Sequence, residues 1–272
     1  MLALIILDLI GNNAEIISNI KPNAETEDTN DAINILLVGA TGVGKSYLSN
    51  ALMGCENPEN CPHFAAVSGS VSSVTYDIGK YSGTIYNGTY GGMESKITIF
   101  DTPGYASTNP DDIYKNQVLI ANQIGAKINA VVLVIANRFE ETAVGVLESM
   151  NRWSHGQVWN NIIILQTKVI FDNDAAHYAC EDHDNLVTHN MNMDYIRDKI
   201  LKRAYQGNWE VSEIDPSSLE VTKKRPFSES DMDQLAGFVV NPSQVGWPHQ
   251  NIIIYMIHKM AIKYGSSAMG IP

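Results

Sequence analysis

Short uninterrupted apolar runs set the frame of the chain. Ile33 to Val38, broken only by Asn34, together with Ala130 to Ala136 and Ile162 to Leu165, have the pattern of strands buried on both faces. Val74 to Tyr86 and Lys96 to Phe100 alternate apolar and polar positions instead, which predicts an antiparallel hairpin joined through Asn87 to Gly92. Between these stretches the period lengthens. Helices are predicted over Ser46 to Leu52, over Pro110 to Ile124, and across Ala143, Leu147, Met150 and Trp153. The second of these carries its own punctuation: Asn109 as cap, a first-turn proline, Asp111 and Asp112 at the positive end of the dipole, and Gly125 as stop. The order β-α-β-β-α-β-α-β predicts an α/β fold whose mostly parallel sheet is covered by helices on both faces.

The two ends of the chain read differently. Leu2, Ile5, Ile6 and Leu9, resumed by Ile16, Ile17 and Ile20, keep helical spacing, and the polar, acidic stretch Lys21 to Asp31 separates them from the first strand. Residues 1–31 are therefore expected to be an amphipathic extension and linker, docked on the body or touching a membrane or partner, and residues 32–272 one domain. No basic residue precedes Lys21 and the apolar start is too short to span a bilayer, so neither a secretory signal nor a spanning segment is evident. Beyond Lys168 the expectation is a helical C-terminal region, with Ala175 to Ala204 in one or two helices and Pro248 to Tyr264 as a closing helix; Asn208 to Pro226 carries few signals.

Composition narrows the function classes. With 18 Lys+Arg against 30 Asp+Glu the 272-residue chain has a net charge of −12, and its five arginines leave little to neutralise a nucleic-acid backbone. The three cysteines, Cys55, Cys61 and Cys180, are too few and too unevenly placed to staple the fold, which suits a reducing compartment and predicts a cytoplasmic protein. Peripheral residence at a membrane is left open.

The chemistry is concentrated after the first strand. Gly39-Ala40-Thr41-Gly42-Val43-Gly44-Lys45-Ser46 satisfies G-x-x-x-x-G-K-[ST] between a predicted strand and a predicted helix. Glycines there let backbone N–H groups face a triphosphate, the helix N-terminus adds its dipole, Lys45 reaches the β and γ phosphates, and the Ser46 hydroxyl can ligate Mg²⁺. A plain Gly-rich turn would explain the glycines but not the Lys-Ser pair. Asp101-Thr102-Pro103-Gly104 follows the strand Lys96 to Phe100, about 55 residues downstream, a spacing that points to a guanine-nucleotide switch protein. Asp101 can hold the metal directly or through water, and the Gly104 N–H can meet a γ-phosphate.

With these motifs in place the sequence resembles the immunity-associated nucleotide-binding GTPases, the IAN or GIMAP family, relatives of the Toc import GTPases and septins. More particular than the P-loop and DTPG are Ser72-Ser73-Val74-Thr75, similar to the family's S-S-V-T, and Asn137-Arg138-Phe139-Glu140-Glu141, similar to its G-R-F-T-x-E-E box. The resemblance covers about Ile33 to Lys168 and implies a three-layer P-loop GTPase domain with GTP or GDP and Mg²⁺ as ligands. It implies Lys45, Thr75 and Gly104 as catalytic groups and Ser46, Thr75 and Asp101 as Mg²⁺ ligands. The nucleotide would be held by Gly39, Ala40, Thr41, Gly42, Val43, Gly44, Lys45 and Ser46, with Tyr76, Asp101, Thr167, Lys168 and Asp172. A homodimer or oligomer formed through the nucleotide face is the implied partner.

The sequence departs from that pattern at two positions. Thr167-Lys168-Val169-Ile170 has the T-K of a guanine-reading T-K-x-D loop but an isoleucine where the carboxylate belongs, and Asp172 or Asp174 could replace it only if the loop bulges. Tyr105 stands where the family usually has leucine and Ras-like proteins glutamine, so no side chain directly after DTPG orients water, and slow hydrolysis is expected unless Ser107, Thr108 or a partner subunit helps. A nucleotide-bound scaffold that hydrolyses negligibly, and relaxed guanine over adenine preference, are the alternatives. Cys55, Cys61 and His63 with His177, Cys180 and His183 lack a usual zinc spacing and read as ordinary loop or core residues. Arg138 reads as a local cap or ion-pair partner, with an arginine finger across a dimer as the alternative.

Overall fold

Alternation along β1 (Ile33–Val38) builds both halves of the core: Ile35 and Leu37 join one apolar cluster, Leu36 and Val38 the other. The structure is a computed structural model that describes residues 32–55, 61, 65, 78–84, 96–105, 128–136, 139–167, 192–215, 220–233 and 235–239. After β1 come α1 (Lys45–Leu52), β2 (Gly79–Thr84), β3 (Lys96–Asp101), β4 (Ala130–Ala136), α2 (Glu141–Trp153), β5 (Ile162–Thr167), α3 (Met193–Gln206), β6 (Glu210–Ile214), β7 (Val221–Pro226) and β8 (Ala236–Val239).

Six strands form one sheet in the order β2-β3-β1-β4-β5-β8. Only β2 runs antiparallel, paired with β3 as the alternation predicts; every other pairing in the sheet is parallel. The near-continuous apolar strands are thereby explained, because parallel strands must be covered on both faces. On one face, Leu48 and Leu52 of α1 pack with Ile35, Leu37, Ile99, Val132 and Ile163. On the other, Val144, Leu147 and Met150 of α2 and Ile196 and Ile200 of α3 pack with Leu36, Leu133 and Ile164. The result is the expected three-layer α/β architecture.

β1, β4 and β5 fall where the apolar runs placed them, and β2 and β3 fall within or beside the two alternating stretches. The helices predicted over Pro110 to Ile124 and Pro248 to Tyr264, and the N-terminal extension, lie outside the described residues. Downstream of α3 the structure adds to the expected helices. β6 and β7 pair as an antiparallel ribbon, and β8 extends the sheet. The ribbon escapes a hydrophobic pattern because every residue of β7 is exposed or half-buried. It is held to the body by an aromatic group: the Phe227 ring lies 4.8 Å from Trp159 and 5.8 Å from Trp209. Arg225 adds a two-pronged bond to Asp231, with Nη1 donating at 2.8 Å. Among the described residues no helix is long and apolar enough to cross a membrane.

The cysteines depart from expectation. Cys55 and Cys61, just after α1, form a disulfide with a Cα separation of 5.4 Å, inside the usual range of roughly 4.4–6.8 Å. Cysteine usage therefore ceases to argue for a reducing compartment. The expected outcome is one titratable thiol in the denatured, unreduced chain and three after reduction; three thiols before reduction would show that the bridge does not form.

Candidate functional site

β1 lies between β3 and β4, so successive connections leave it in opposite directions and open a crevice at the carboxyl ends of the strands. Four singled-out segments meet that edge: Gly39 follows β1, Asp101 ends β3, Phe139 lies just past β4, and Thr167 ends β5. The loop after β1 is shaped by close approach. At Gly39, with φ of +148°, any side chain would run into the Val134 carbonyl of β4, so the residue must be glycine. Val43 is buried, Ala40 and Thr41 are half-buried, and Gly42 is exposed.

Lys45 and Ser46 open α1, and their side chains are held from below. Lys45 Nζ donates to the carbonyls of Gly39 at 3.0 Å and Ala40 at 2.9 Å, which folds the loop around its own ammonium. Ser46 Oγ donates to Asp101 Oδ2 at 2.6 Å. Burial lowers the Lys45 pKa to about 8, with the Asp101 charge opposing the shift. Asp101 is pushed above the usual carboxylate range by burial, against the Ser46 bond and the Lys45 charge. Its Oδ1 is buried without a hydrogen-bond partner. The parallel register that sets Leu37 beside Asp101 is what brings the carboxylate under the loop.

The turn after Asp101 is pressed onto the same loop. Thr102 Oγ1 donates to the Leu37 carbonyl at 2.8 Å, and a methyl placed on Gly104 would lie 2.6 Å from the Thr41 nitrogen. Glycine at 104 is thus required by contact with the P-loop backbone. Tyr105 N–H donates to the Gly39 carbonyl at 3.2 Å, and Thr41 N–H to the Tyr105 carbonyl at 3.4 Å. The Tyr105 side chain is only 4% exposed and belongs to the core cluster with Phe100 and Phe139. As the sequence implied, it cannot face a water at the crevice.

Thr167, assigned to the nucleotide by the sequence, lies beside the P-loop at the end of β5. Its buried hydroxyl is directed to the carbonyls of Val43, in the P-loop, and Ile135, at 3.1 Å in β4. It ties two strand ends to the loop. Thr75, Tyr76, Lys168, Asp172 and the Ile170 position lie outside the described residues, as do Arg138, His63, His177 and His183. Among the described residues no group of three or more His, Cys, Asp or Glu could hold a metal, and two of the imagined zinc ligands are paired with each other.

Two contacts escaped the sequence. Asn50 of α1 holds Ala65 at both main-chain atoms, donating from Nδ2 at 2.9 Å and accepting at Oδ1 at 2.7 Å. A buried asparagine between Leu48 and Leu52 was the available signal. The Phe139-Glu140-Glu141 box proves to be a joint between helices. Phe139 is buried, its carbonyl accepts from Lys199 Nζ of α3 at 3.2 Å, and Glu141 meets the same ammonium at 3.2 Å. Arg203 to Glu148 at 2.9 Å repeats the α3 to α2 link.

Such a site offers a glycine-rich loop leading into the start of α1, one buried ammonium, a hydroxyl and a carboxylate with an unpartnered oxygen. These groups suit a polyphosphate accompanied by a hard divalent cation.

Comparisons with known proteins give this geometry a context. A model of the AIG1 family matches residues 33–201, well over half of the chain. GTP-binding protein A of Dictyostelium discoideum is 27% identical over 154 residues, which are 55% of this chain and 30% of that protein. The chain therefore spans less than a third of that relative's length. Among solved structures, a dimerization-deficient mutant of Toc33 from Arabidopsis thaliana aligns over 96% of this chain and 92% of its own, with a TM-score of 0.51 and 14% identity. Toc33 in complex with GDP and Mg²⁺ aligns over 86% and 85%, with a TM-score of 0.50 and 16% identity. At these identities the likeness is one of fold.

Because Thr167 joins β5, β4 and the P-loop through one hydroxyl, Thr167→Val should leave two buried carbonyls without that donor. The expected loss of unfolding free energy is about 1–3 kcal/mol in urea titrations, with Thr167→Ser retaining most of the stability. Equal stability of the valine variant would show that the tie contributes nothing.

Proposed function

The chain belongs to the AIG1 family, and from that premise we propose that it is a guanine-nucleotide-binding switch or assembly protein that holds GTP or GDP with Mg²⁺ and hydrolyses GTP slowly. The observation that carries the reading is the Lys45, Ser46 and Asp101 group, with Lys45 and Asp101 buried and Ser46 half-buried against Asp101, at the crevice where the strand order reverses. The name of the Dictyostelium relative and the GDP–Mg²⁺ complex of the Toc33 neighbour support the choice of ligand.

The residues fit a magnesium ion. Asp101 Oδ1 is a buried acceptor without a partner, and Ser46 Oγ lies against the other oxygen of the same carboxylate. Ser46 and Asp101 would hold the ion, with Thr75 as the third ligand. Held there, the ion would supply positive charge to offset the charge that develops on the phosphates. Hydrolysis converts GTP and water to GDP and inorganic phosphate. Within the chain, the P-loop N–H groups and the α1 N-terminus bind the phosphates, and Lys45 places its ammonium at the β and γ oxygens. Gly104 N–H offers a donor from the opposite side. Catalysis of this kind works by positioning and fixed charge rather than by covalent chemistry.

Tyr105 supports the slow rate, because its buried ring leaves the position after DTPG without a group to orient water. We take a second copy of the chain, docked across the nucleotide face, as the source of the missing group. The same burial favours a second reading, a nucleotide-bound scaffold with negligible hydrolysis. With Ile170 in the base-reading loop, GTP is preferred over ATP by a smaller margin than a carboxylate would give.

Calorimetry with GTP and Mg²⁺ tests the site. Lys45→Ala and Ser46→Asn should each weaken triphosphate binding by at least tenfold without unfolding the chain, and unchanged affinity in both would remove the reading. In the free protein Lys45 has a pKa of about 8, and a bound polyphosphate favours the ammonium. Binding therefore takes up a proton near and above pH 8, and affinity should be flat below that pH and fall toward tenfold per unit above it. An affinity that rises above pH 8 would contradict the assignment of Lys45.

Turnover per chain should climb with protein concentration if a second copy completes the site. Turnover that stays constant over a thousandfold dilution would sink the dimer mechanism, and none at any concentration would select the scaffold.

A further inference from the structure

We infer that Tyr105 is a positioning residue that sets the preference of this site for a nucleoside triphosphate over a diphosphate. The inference rests on the reading of the crevice as a GTP site and goes beyond it, because it gives the residue after DTPG a role where the sequence showed only a missing one.

The turn Thr102-Pro103-Gly104 is pinned at both ends. At its start the Thr102 hydroxyl donates to the Leu37 carbonyl of β1 at 2.8 Å. At its end the Tyr105 main chain forms a parallel bridge with the P-loop at Ala40, through the 3.2 Å bond to Gly39 and the 3.4 Å bond from Thr41. Both of those bonds are long, so alone they would hold the turn weakly. What keeps them formed is the side chain: the Tyr105 ring is almost wholly buried in the core cluster that α2 and α3 cover. Pro103 restricts the middle of the turn further by fixing its own φ.

Gly104 sits between these anchors, flush against Thr41, where a methyl group would already collide with the P-loop backbone. Its N–H is consequently fixed in place before any nucleotide arrives. A group held in advance binds without the cost of ordering it. Only a triphosphate has a γ-phosphate for that N–H to meet; the α and β phosphates are served by the P-loop and the start of α1. Freeing the turn should therefore weaken triphosphate binding and spare the diphosphate. Ordering one backbone residue is equivalent to about 5–30-fold in affinity, so releasing the turn should be readily measurable.

The experiment compares the full chain with Tyr105→Phe, Tyr105→Leu and Tyr105→Ala, measuring dissociation constants for GDP and for a non-hydrolysable GTP analogue with Mg²⁺. Tyr105→Phe keeps the ring and should keep the ratio of the two constants within about threefold. Tyr105→Ala should lose about tenfold or more for the analogue while GDP affinity changes less than about threefold. If the alanine variant does not fold, Tyr105→Leu carries the test, with a smaller loss confined to the analogue. Equal losses for both nucleotides, or no change in either, would overturn the inference while leaving the GTP site standing. An unmodified chain that binds neither nucleotide would remove the site itself, and the inference with it.

Discussion

Everything at the crevice depends on burying two opposite charges where the sheet has least cover for them. Lys45 is 6% exposed and Asp101 1% exposed, and burial drives each toward its neutral form in spite of the other. An ammonium and a carboxylate withdrawn from water cost several kcal/mol each unless their remaining donors and acceptors are matched. The fold supplies most of the matches from backbone and neighbour: the Gly39 and Ala40 carbonyls for Lys45, and the Ser46 hydroxyl for one oxygen of Asp101. It leaves the other carboxylate oxygen unmatched. A site that must hide charge and yet keep one acceptor open is built for a partner that brings positive and negative charge together, as a cation–polyphosphate pair does.

That constraint explains how the surrounding elements are arranged. The β1–β3 register places Asp101 beside Leu37, the Leu37 carbonyl catches Thr102, and the carbonyl of Val43 is caught by Thr167 from two strands away. Each tie runs from a polar side chain to main chain, so the loop is braced without enclosing it. Behind the sheet, Lys199 and Arg203 of α3 lock onto α2 through Phe139, Glu141 and Glu148. Phe139 and Glu141, part of a box that resembles one of the family's, form in this structure a seam that keeps the rear layer in place.

The parts legible in the sequence were those whose physics is local. Buried parallel strands announce themselves as Ile-, Val- and Leu-rich runs, and β1, β4 and β5 were read on that ground. The phosphate-binding loop was legible because its glycines, lysine and serine obey contact rules that few other loops need. What could not be read were relations between distant residues. The β6–β7 ribbon has no apolar face of its own and owes its place to Trp159, Trp209 and Phe227, which come from three separate segments. The reach of the Thr167 hydroxyl to the Val43 and Ile135 carbonyls could not be read either, because a strand-end position says nothing of which carbonyls lie nearby. The Cys55–Cys61 bridge was missed because composition argued from the number of cysteines and not from the return of the chain after α1.

The placement of Tyr105 bears on what kind of catalyst such a site can be. A switch protein that hydrolyses well keeps a polar side chain after its DxxG turn in a segment loose enough to reach the attacking water. Here the equivalent residue is committed to the core, and the turn before it is anchored to β1 by the Thr102 hydroxyl at one end and to the P-loop by the Tyr105 main chain at the other. Rigidity of that sort favours recognition of a γ-phosphate over its removal, since the same anchoring that fixes the Gly104 N–H denies the site a mobile group. Under the proposed reading, fixed charge from Lys45 would still lower the barrier, and the group that orients the nucleophile would come from a second copy of the chain. On the same reading, a protein arranged this way would hold its triphosphate state for long periods and give it up when a second copy of the chain arrives, which is the timing that assembly requires of a nucleotide.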